Sequence, residues 1–272
     1  MTSVGDVVWL YAVAPAAPPP DTTGMSGVAG EPVRLITDGC LSAVVGSVPT
    51  ADFAEEPLKN HLEDLRWLEA AARAHHQVID SVFRGGDLVP LQFATVYRDD
   101  EAVRGVLRER AADFADAFAR VRGRAEWGVK GYLDPAAADD QDGGQGASAA
   151  DGSPGTAYLL RRKAQQGARD RAQRHAQDRG TDIREALDGA ATRTVAHPPQ
   201  DPRLAGYEGW MILNDSFLVE RGGEERFSAA VAACAERFPD VDLRLSGPWP
   251  PYSFVAEETA ETGAAEPGEP RA

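Results

Sequence analysis

A chain of 272 residues with 43% hydrophobic content can bury one large core or two modest ones, and its formal charge of −15 argues against a nucleic-acid partner. No apolar run approaches the roughly 20 residues of a membrane-spanning helix. Met1 to Val13 lacks the basic start and small-residue cleavage site of a signal peptide. A cytoplasmic protein is expected, with no membrane partner. Cys40 and Cys234 fall in different expected domains and read as buried free thiols rather than a disulfide or a metal site.

In chain order, Val7 to Val13 is a β-rich run that the prolines from Pro15 to Pro20 end. Val33–Thr37 and Leu41–Gly46 flank Asp38-Gly39, a two-residue hairpin signal. The stretch that organises the first half follows. Leu58, Leu62, Leu65, Leu68, Ala72, Ile79 and Phe83 mark one face of a long helix, Gly85-Gly86 ends it, and Leu88 to Val96 is expected as one buried strand. Val103, Leu107, Ala111, Phe114 and Phe118 predict a second helix to about Arg122, and Trp127 to Leu133 reads as the strand that closes this half.

From Asp134 to Thr156, five aspartates stand with no Lys or Arg, and the tail after Val255 is rich in Glu, Ala and Pro. Both stretches read as disordered. Ala157 to about Leu187 is a long helix carrying many arginines and few large apolar residues. It reads either as a basic patch for an acidic partner or as a solvated helix with pairs such as Arg174–Asp178. Tyr207–Leu213 and Ser216–Glu220 flank Asn214-Asp215 as a further expected hairpin. Phe227, Val231, Cys234 and Phe238 lie on one helical face, and Val241 to Leu245 alternates as a half-buried strand.

The expected fold is therefore α+β in two domains. Residues 1–133 form a mainly antiparallel sheet with two covering helices, and 134–156 an acidic linker. Residues 157–255 form a long helix plus a modified ferredoxin-like domain, and 256–272 an acidic tail.

The chain has no phosphate loop, no His-Glu-x-x-His, no Cys-x-x-Cys and no nucleophile elbow, so no catalytic residue, cofactor or metal site is assigned. Gly143-Gly144-Gln145-Gly146 is linker. His61 and His75 share a helical face but lie about 21 Å apart, and adjacent His75 and His76 point about 100° apart, so neither pair can chelate one ion. One of His75 and His76 is expected at the core edge and the other exposed. The aromatic, proline-rich segment Ser246 to Phe254 cannot be a central strand. Its Trp249, Tyr252 and Phe254 read as anchors on the protein's own domains or on a partner.

Several segments together resemble the gas vesicle protein F/L family. They are Trp9-Leu10-Tyr11-Ala12-Val13, Ala74 to Ile79, Val89 to Tyr97, Trp127-Gly128-Val129-Lys130, Gly155 to Arg162 and Gly247 to Phe254. The chain departs from the family pattern in one strand, with Pro-Leu-Gln-Phe-Ala-Thr where relatives often show Pro-x-Arg-Phe-Gly-Thr. The resemblance implies a non-enzymatic accessory or minor structural protein of gas vesicles. It also implies binding to the hydrophobic shell protein and other accessory proteins during assembly, with Trp249, Tyr252, Phe254, Arg161 and Arg162 as candidate partner-binding residues. Two other readings remain open: a small-molecule-binding or enzymatic ferredoxin-like domain using Gln92, His75 or His76 in the inter-domain cleft, and a regulatory protein retained without vesicles.

Overall fold

The computed structural model describes residues 5–133, 154–199 and 210–255, so most of the expected linker and the whole acidic tail lie outside the described residues. The chain forms two compact units, one of Met1–Glu126 with Pro248–Ala272 and one of Trp127–Gly247. Their sheets are antiparallel and mixed with helices, the α+β class expected.

In the first unit, β1 (Asp6–Pro15), β2 (Val33–Asp38) and β3 (Leu41–Pro49) lie in the sheet order β2-β3-β1-β4, with β4 (Val89–Pro90) and β5 (Val96–Tyr97) both pairing with β1. The run Val8 to Ala14 is buried throughout because both faces of the sheet are covered. A bulge at Tyr11 shifts the β1–β3 register between Leu10 and Ala12. Side chains alternate along a strand, so one extra residue exchanges the faces. Trp9 and Tyr11 are thus followed on the same face by Ala12 and Ala14, while Val8 and Leu10 are followed on the other by Val13.

Helices α1 (Thr50–Phe53), α2 (Glu55–Glu63) and α3 (Leu65–Gly85) supply Phe53, Leu58, Ile79 and Phe83 to the first face. Helices α4 (Asp100–Glu109) and α5 (Ala111–Val121) supply Val103, Leu107, Phe114 and Phe118 to the second. Each expected long helix is therefore two. Asp64 leaves helical geometry and accepts from the amides of Arg66 and Trp67, starting α3 afresh. At Arg110 the backbone kinks, yet the ladder continues from Arg110 N to Val106 O and from Phe114 N to Arg110 O, which is why the apolar spacing reads as one helix.

Three other expectations change in this unit. The turn residues of the β2–β3 hairpin are Gly39-Cys40, since Asp38 pairs with Leu41; Gly39 takes the positive φ of 58° that the first turn position requires. Cys40 is consequently exposed, whereas Cys234 is buried. The expected strand Leu88–Val96 is broken. Pro90 has no amide to extend the ladder, and Leu91 to Thr95 leave the sheet, held where Leu91 N donates to Tyr11 O and Leu10 N donates to Thr95 O. Ala94 adopts a left-handed φ of 65° there. The left-handed conformation costs an L-residue roughly 1–2 kcal/mol, and glycine returns part of the gain as chain entropy, so Ala94→Gly is expected to stabilise by about 0.5 kcal/mol in urea unfolding. Destabilisation would contradict this assignment of strain.

The second unit runs β6 (Arg124–Leu133), α6 (Pro154–Asp188), β7 (Arg193–Ala196), β8 (Trp210–Glu220), α7 (Glu224–Arg237) and β9 (Val241–Trp249), with sheet order β7-β8-β6-β9. That is the ferredoxin-like βαββαβ arrangement. Its first strand is the segment expected to close the N-terminal half: Trp127, Val129 and Leu133 pack with Leu213, Phe217 and Phe227. Asn214-Asp215 is not a turn but the middle of continuous β8, which pairs with β7 through Ala196 opposite Asp215. The buried Asp215 carboxylate accepts from Arg184 Nε at 2.6 Å and from Nη2 at 3.1 Å, so its charge is met without leaving the strand.

Helix α6 meets the sheet through Ala176, Gly180, Ile183 and Leu187, all buried. A Cβ on Gly180 would lie 2.5 Å from the Ile212 carbonyl oxygen, so only glycine permits this approach. The expected Arg174–Asp178 pair is not formed; the ion pairs of this helix's C-terminal half run instead from Arg179 to Asp240, which His175 also hydrogen-bonds, and from Arg184 to Asp215.

Candidate functional site

The aromatic C-terminal segment and the two adjacent histidines of α3 meet within the first unit. Successive helical residues point about 100° apart, so one histidine turns inward and its neighbour outward. His75 is 3% exposed. Its Nδ1 accepts from the Trp9 indole Nε1 at 3.0 Å, and since indole only donates, the ring proton sits on Nε2, 3.3 Å from the Leu91 carbonyl oxygen. Phe93, on the excursion from the sheet, closes edge-on over both Trp9 and His75. Burial lowers the His75 pKa from 6.5 to about 4, against the Leu91 hydrogen bond, which raises it, and with a smaller lowering from His76. Both ring nitrogens are spent on the core, which leaves no lone pair for a ligand or a proton transfer.

Beside it, the Tyr11 hydroxyl donates to Glu31 Oε1 at 2.6 Å and accepts from the Val28 amide at 2.9 Å. Burial, then the Glu31 charge, pushes the phenol well above its ordinary pKa. Gly27 and Gly46 leave the space that the Glu31 carboxylate fills, because a Cβ at either would overlap it.

His76, half-buried, carries the strap formed by Pro248 to Val255. It stacks on Tyr252 at 6.2 Å and tilts against Trp249 at 5.8 Å. Gly247, at φ 126°, lies near the end of β9, just before the strap begins. The strap then closes in a short 3-10 turn, Tyr252–Phe254, whose Ser253 gives both its amide (2.8 Å) and its hydroxyl (2.6 Å) to the buried Glu126 carboxylate. Arg120 Nε donates to the Phe254 carbonyl at 3.4 Å, and the Phe254 ring is 2% exposed. Burial raises the Tyr252 phenol far above its ordinary pKa. Trp249 differs from its two companions, with 41% of its surface exposed.

Three of the five sequence-derived site residues, Trp249, Tyr252 and Phe254, are thus brought together on the first unit. This corrects their expected place in the C-terminal domain, because Glu126 and His76 hold the strap. Arg162 is exposed on α6 in the second unit, and the Arg161 side chain lies outside the described residues. Gln92 is exposed in the excursion, where Thr95 Oγ1 donates to its carbonyl, away from the His75 ring bonds. Sequence reasoning missed Glu126; its signal is a lone carboxylate between Ala125 and Trp127 in an apolar strand. Among the described residues no group of three His, Cys, Asp or Glu side chains is placed to hold a metal ion, and no helix is long and apolar enough to cross a membrane.

The fold and this site define a two-unit α+β protein in which the buried side chains of His75, Glu126 and Asp215 hold its own strands, helices and C-terminal strap. The chain belongs to the gas vesicle synthesis protein GvpL/GvpF family, whose model matches residues 7–256. It is 42% identical to gas vesicle protein L of a Streptomyces species over 86% of this chain and 88% of that one. It is 31% identical to gas vesicle protein F of the same organism over 91% of this chain and 98% of that one. A crystal structure of GvpF from Anabaena shares the fold with a TM-score of 0.70 at 20% identity, over 92% of this chain and 96% of the other. The Microcystis aeruginosa GvpF crystal structure gives a TM-score of 0.64 at 21% identity, over 92% and 98%.

Proposed function

We propose that this protein is a non-catalytic assembly factor of gas vesicles that binds the hydrophobic shell subunit and other vesicle proteins in the cytoplasm and at the growing vesicle. The observation that carries the reading, within a family of gas vesicle proteins, is the division of labour in the strap. Phe254 is buried and Tyr252 half-buried in the first unit, and together they fix the segment, while Trp249 remains at the surface on His76. Leu65, at the start of the same helix α3, is a second large apolar side chain left exposed. A shell subunit is strongly apolar, and a soluble binder that covers its exposed strands or helices prevents their premature pairing.

Co-expression of the tagged protein with its cognate shell subunit, followed by pull-down, tests this. Wild type is expected to capture the subunit, and Trp249→Ala, in a protein with unchanged thermal unfolding, to lose roughly 10-fold of that capture, the scale of an aromatic anchor. Equal capture by the variant would remove Trp249 from the contact. No capture by wild type would overturn the shell-binding reading.

A further inference from the structure

Helix α6 divides into two halves of different electrostatic character. In the C-terminal half two arginines are matched inside the second unit: Arg179 lies 3.1 Å from Asp240, which His175 also hydrogen-bonds, and Arg184 lies 2.6 Å from Asp215. The N-terminal half, from Tyr158 to Arg174, carries Arg161, Arg162, Lys163, Arg169, Arg171 and Arg174 against Asp170 alone, in a chain whose net charge is −15. Arg162, Lys163 and Arg174 are exposed, and among the described residues they form no ion pair. Among the described side chains of α6, the buried positions begin at Ala176. At 1.5 Å per residue, the stretch before Ala176 extends about 33 Å along the helix axis.

We infer that this basic half-helix is a docking surface for an acidic segment of a partner protein. Positive charge concentrated on one rod of an otherwise acidic protein gives an approaching carboxylate-rich segment a locally favourable field. A nucleic acid needs a broader basic surface than this one rod supplies. Beyond Leu160 the half-helix has no large apolar residue, so its basic stretch presents no apolar face for a bilayer to bury. The inference uses the assembly reading only in naming a protein as the partner, and it concerns a different surface from Trp249.

The test is fluorescence anisotropy of labelled poly-L-glutamate with the full-length protein. Wild type is expected to bind at low ionic strength and to weaken as salt is added. The triple variant Arg162→Glu, Lys163→Glu, Arg174→Glu is expected to bind at least ~10-fold more weakly. A control triple variant on the first unit, Lys59→Glu, Arg66→Glu, Arg73→Glu, is expected to bind as wild type does. Far-UV circular dichroism of all three proteins should coincide, because every substituted side chain is exposed. Undiminished binding by the α6 variant, or an equal loss in the control, would overturn the assignment. Tighter binding to duplex DNA or to phosphatidylserine vesicles would overturn the choice of a protein partner. If binding emerged only after Asp134, Asp139, Asp140, Asp142 and Asp151 were changed to Asn, the occupant would be the chain's own acidic stretch and no partner. Shell-subunit capture that persists in the α6 variant would leave the assembly reading standing while this inference stood or fell on the anisotropy alone.

Discussion

Asp215→Ala is expected to destabilise the second unit by about 1.5–3 kcal/mol, the range for a hydrogen bond between charged groups when the remaining partner, Arg184 at 37% exposure, can turn to water. The Asp215 side chain is 1% exposed in the centre of β8, and Arg184 reaches it with two guanidinium nitrogens at 2.6 and 3.1 Å. Removing the carboxylate leaves the guanidinium without its acceptor and opens a void in the strand. Asp215→Asn keeps the volume but aims an amide group at the guanidinium, so its loss should fall between that of Ala and none. The double variant Asp215→Ala, Arg184→Ala should cost little more than Asp215→Ala, since the second change removes a group already without its partner. Urea unfolding followed by far-UV circular dichroism reads all three. Additive single losses would mean that the two side chains contribute independently, contrary to the geometry.

The second large effect is a pH dependence. His75 has an ordinary pKa of 6.5 and a folded value of about 4. Above pH 6.5 neither state holds the proton and the full stability is present. Between 6.5 and 4 the unfolded chain takes up a proton that the folded chain refuses, because protonation of Nδ1 would end the bond from Trp9 and place a charge in the core. Stability is therefore lost as pH falls through this window, by up to about 3 kcal/mol, and the loss levels off below pH 4. His75→Gln keeps an acceptor for the indole but does not titrate. Its stability at pH 7 should be lower than that of wild type, and the gap between the two proteins should close by about 3 kcal/mol as the pH falls to 4. Titrating carboxylates act on both proteins alike and cancel in this difference. Parallel stability curves would show that His75 is not held neutral by the fold.

The pattern of the sequence carried much of this architecture, and its failures have identifiable causes. The division of labour between His75 and His76 follows from helical geometry alone, since adjacent residues cannot share a face. That His75 would be bonded to Trp9 could not be read, because the two are separated by 66 positions and are joined only when β1 lies against α3. The apolar strand Leu88–Val96 has the right composition, but Pro90 and the left-handed Ala94 interrupt it, and composition does not report backbone angles. Asn214-Asp215 carries a turn signal that the buried bond to Arg184 overrides. Trp127 to Leu133 was legible as a strand but not as the opening strand of the second sheet. A strand that follows one core in sequence while packing in another gives no local sign of the transfer. Helix α6 reads as solvated because its contact with the sheet is made through Ala176 and Gly180 as well as Ile183 and Leu187, and small residues leave a weak periodic signal. The strap was recognised as a special segment from its prolines and aromatics. Its seat on Glu126 and His76 emerged only with the fold.

The central claim, that this protein shields an apolar shell subunit, is tested most directly by light scattering. The shell subunit is diluted from denaturant into buffer with and without an equimolar amount of the full-length protein. The account predicts slower aggregation and a soluble complex that contains both chains. An unchanged aggregation rate with the protein folded and no complex formed would contradict it.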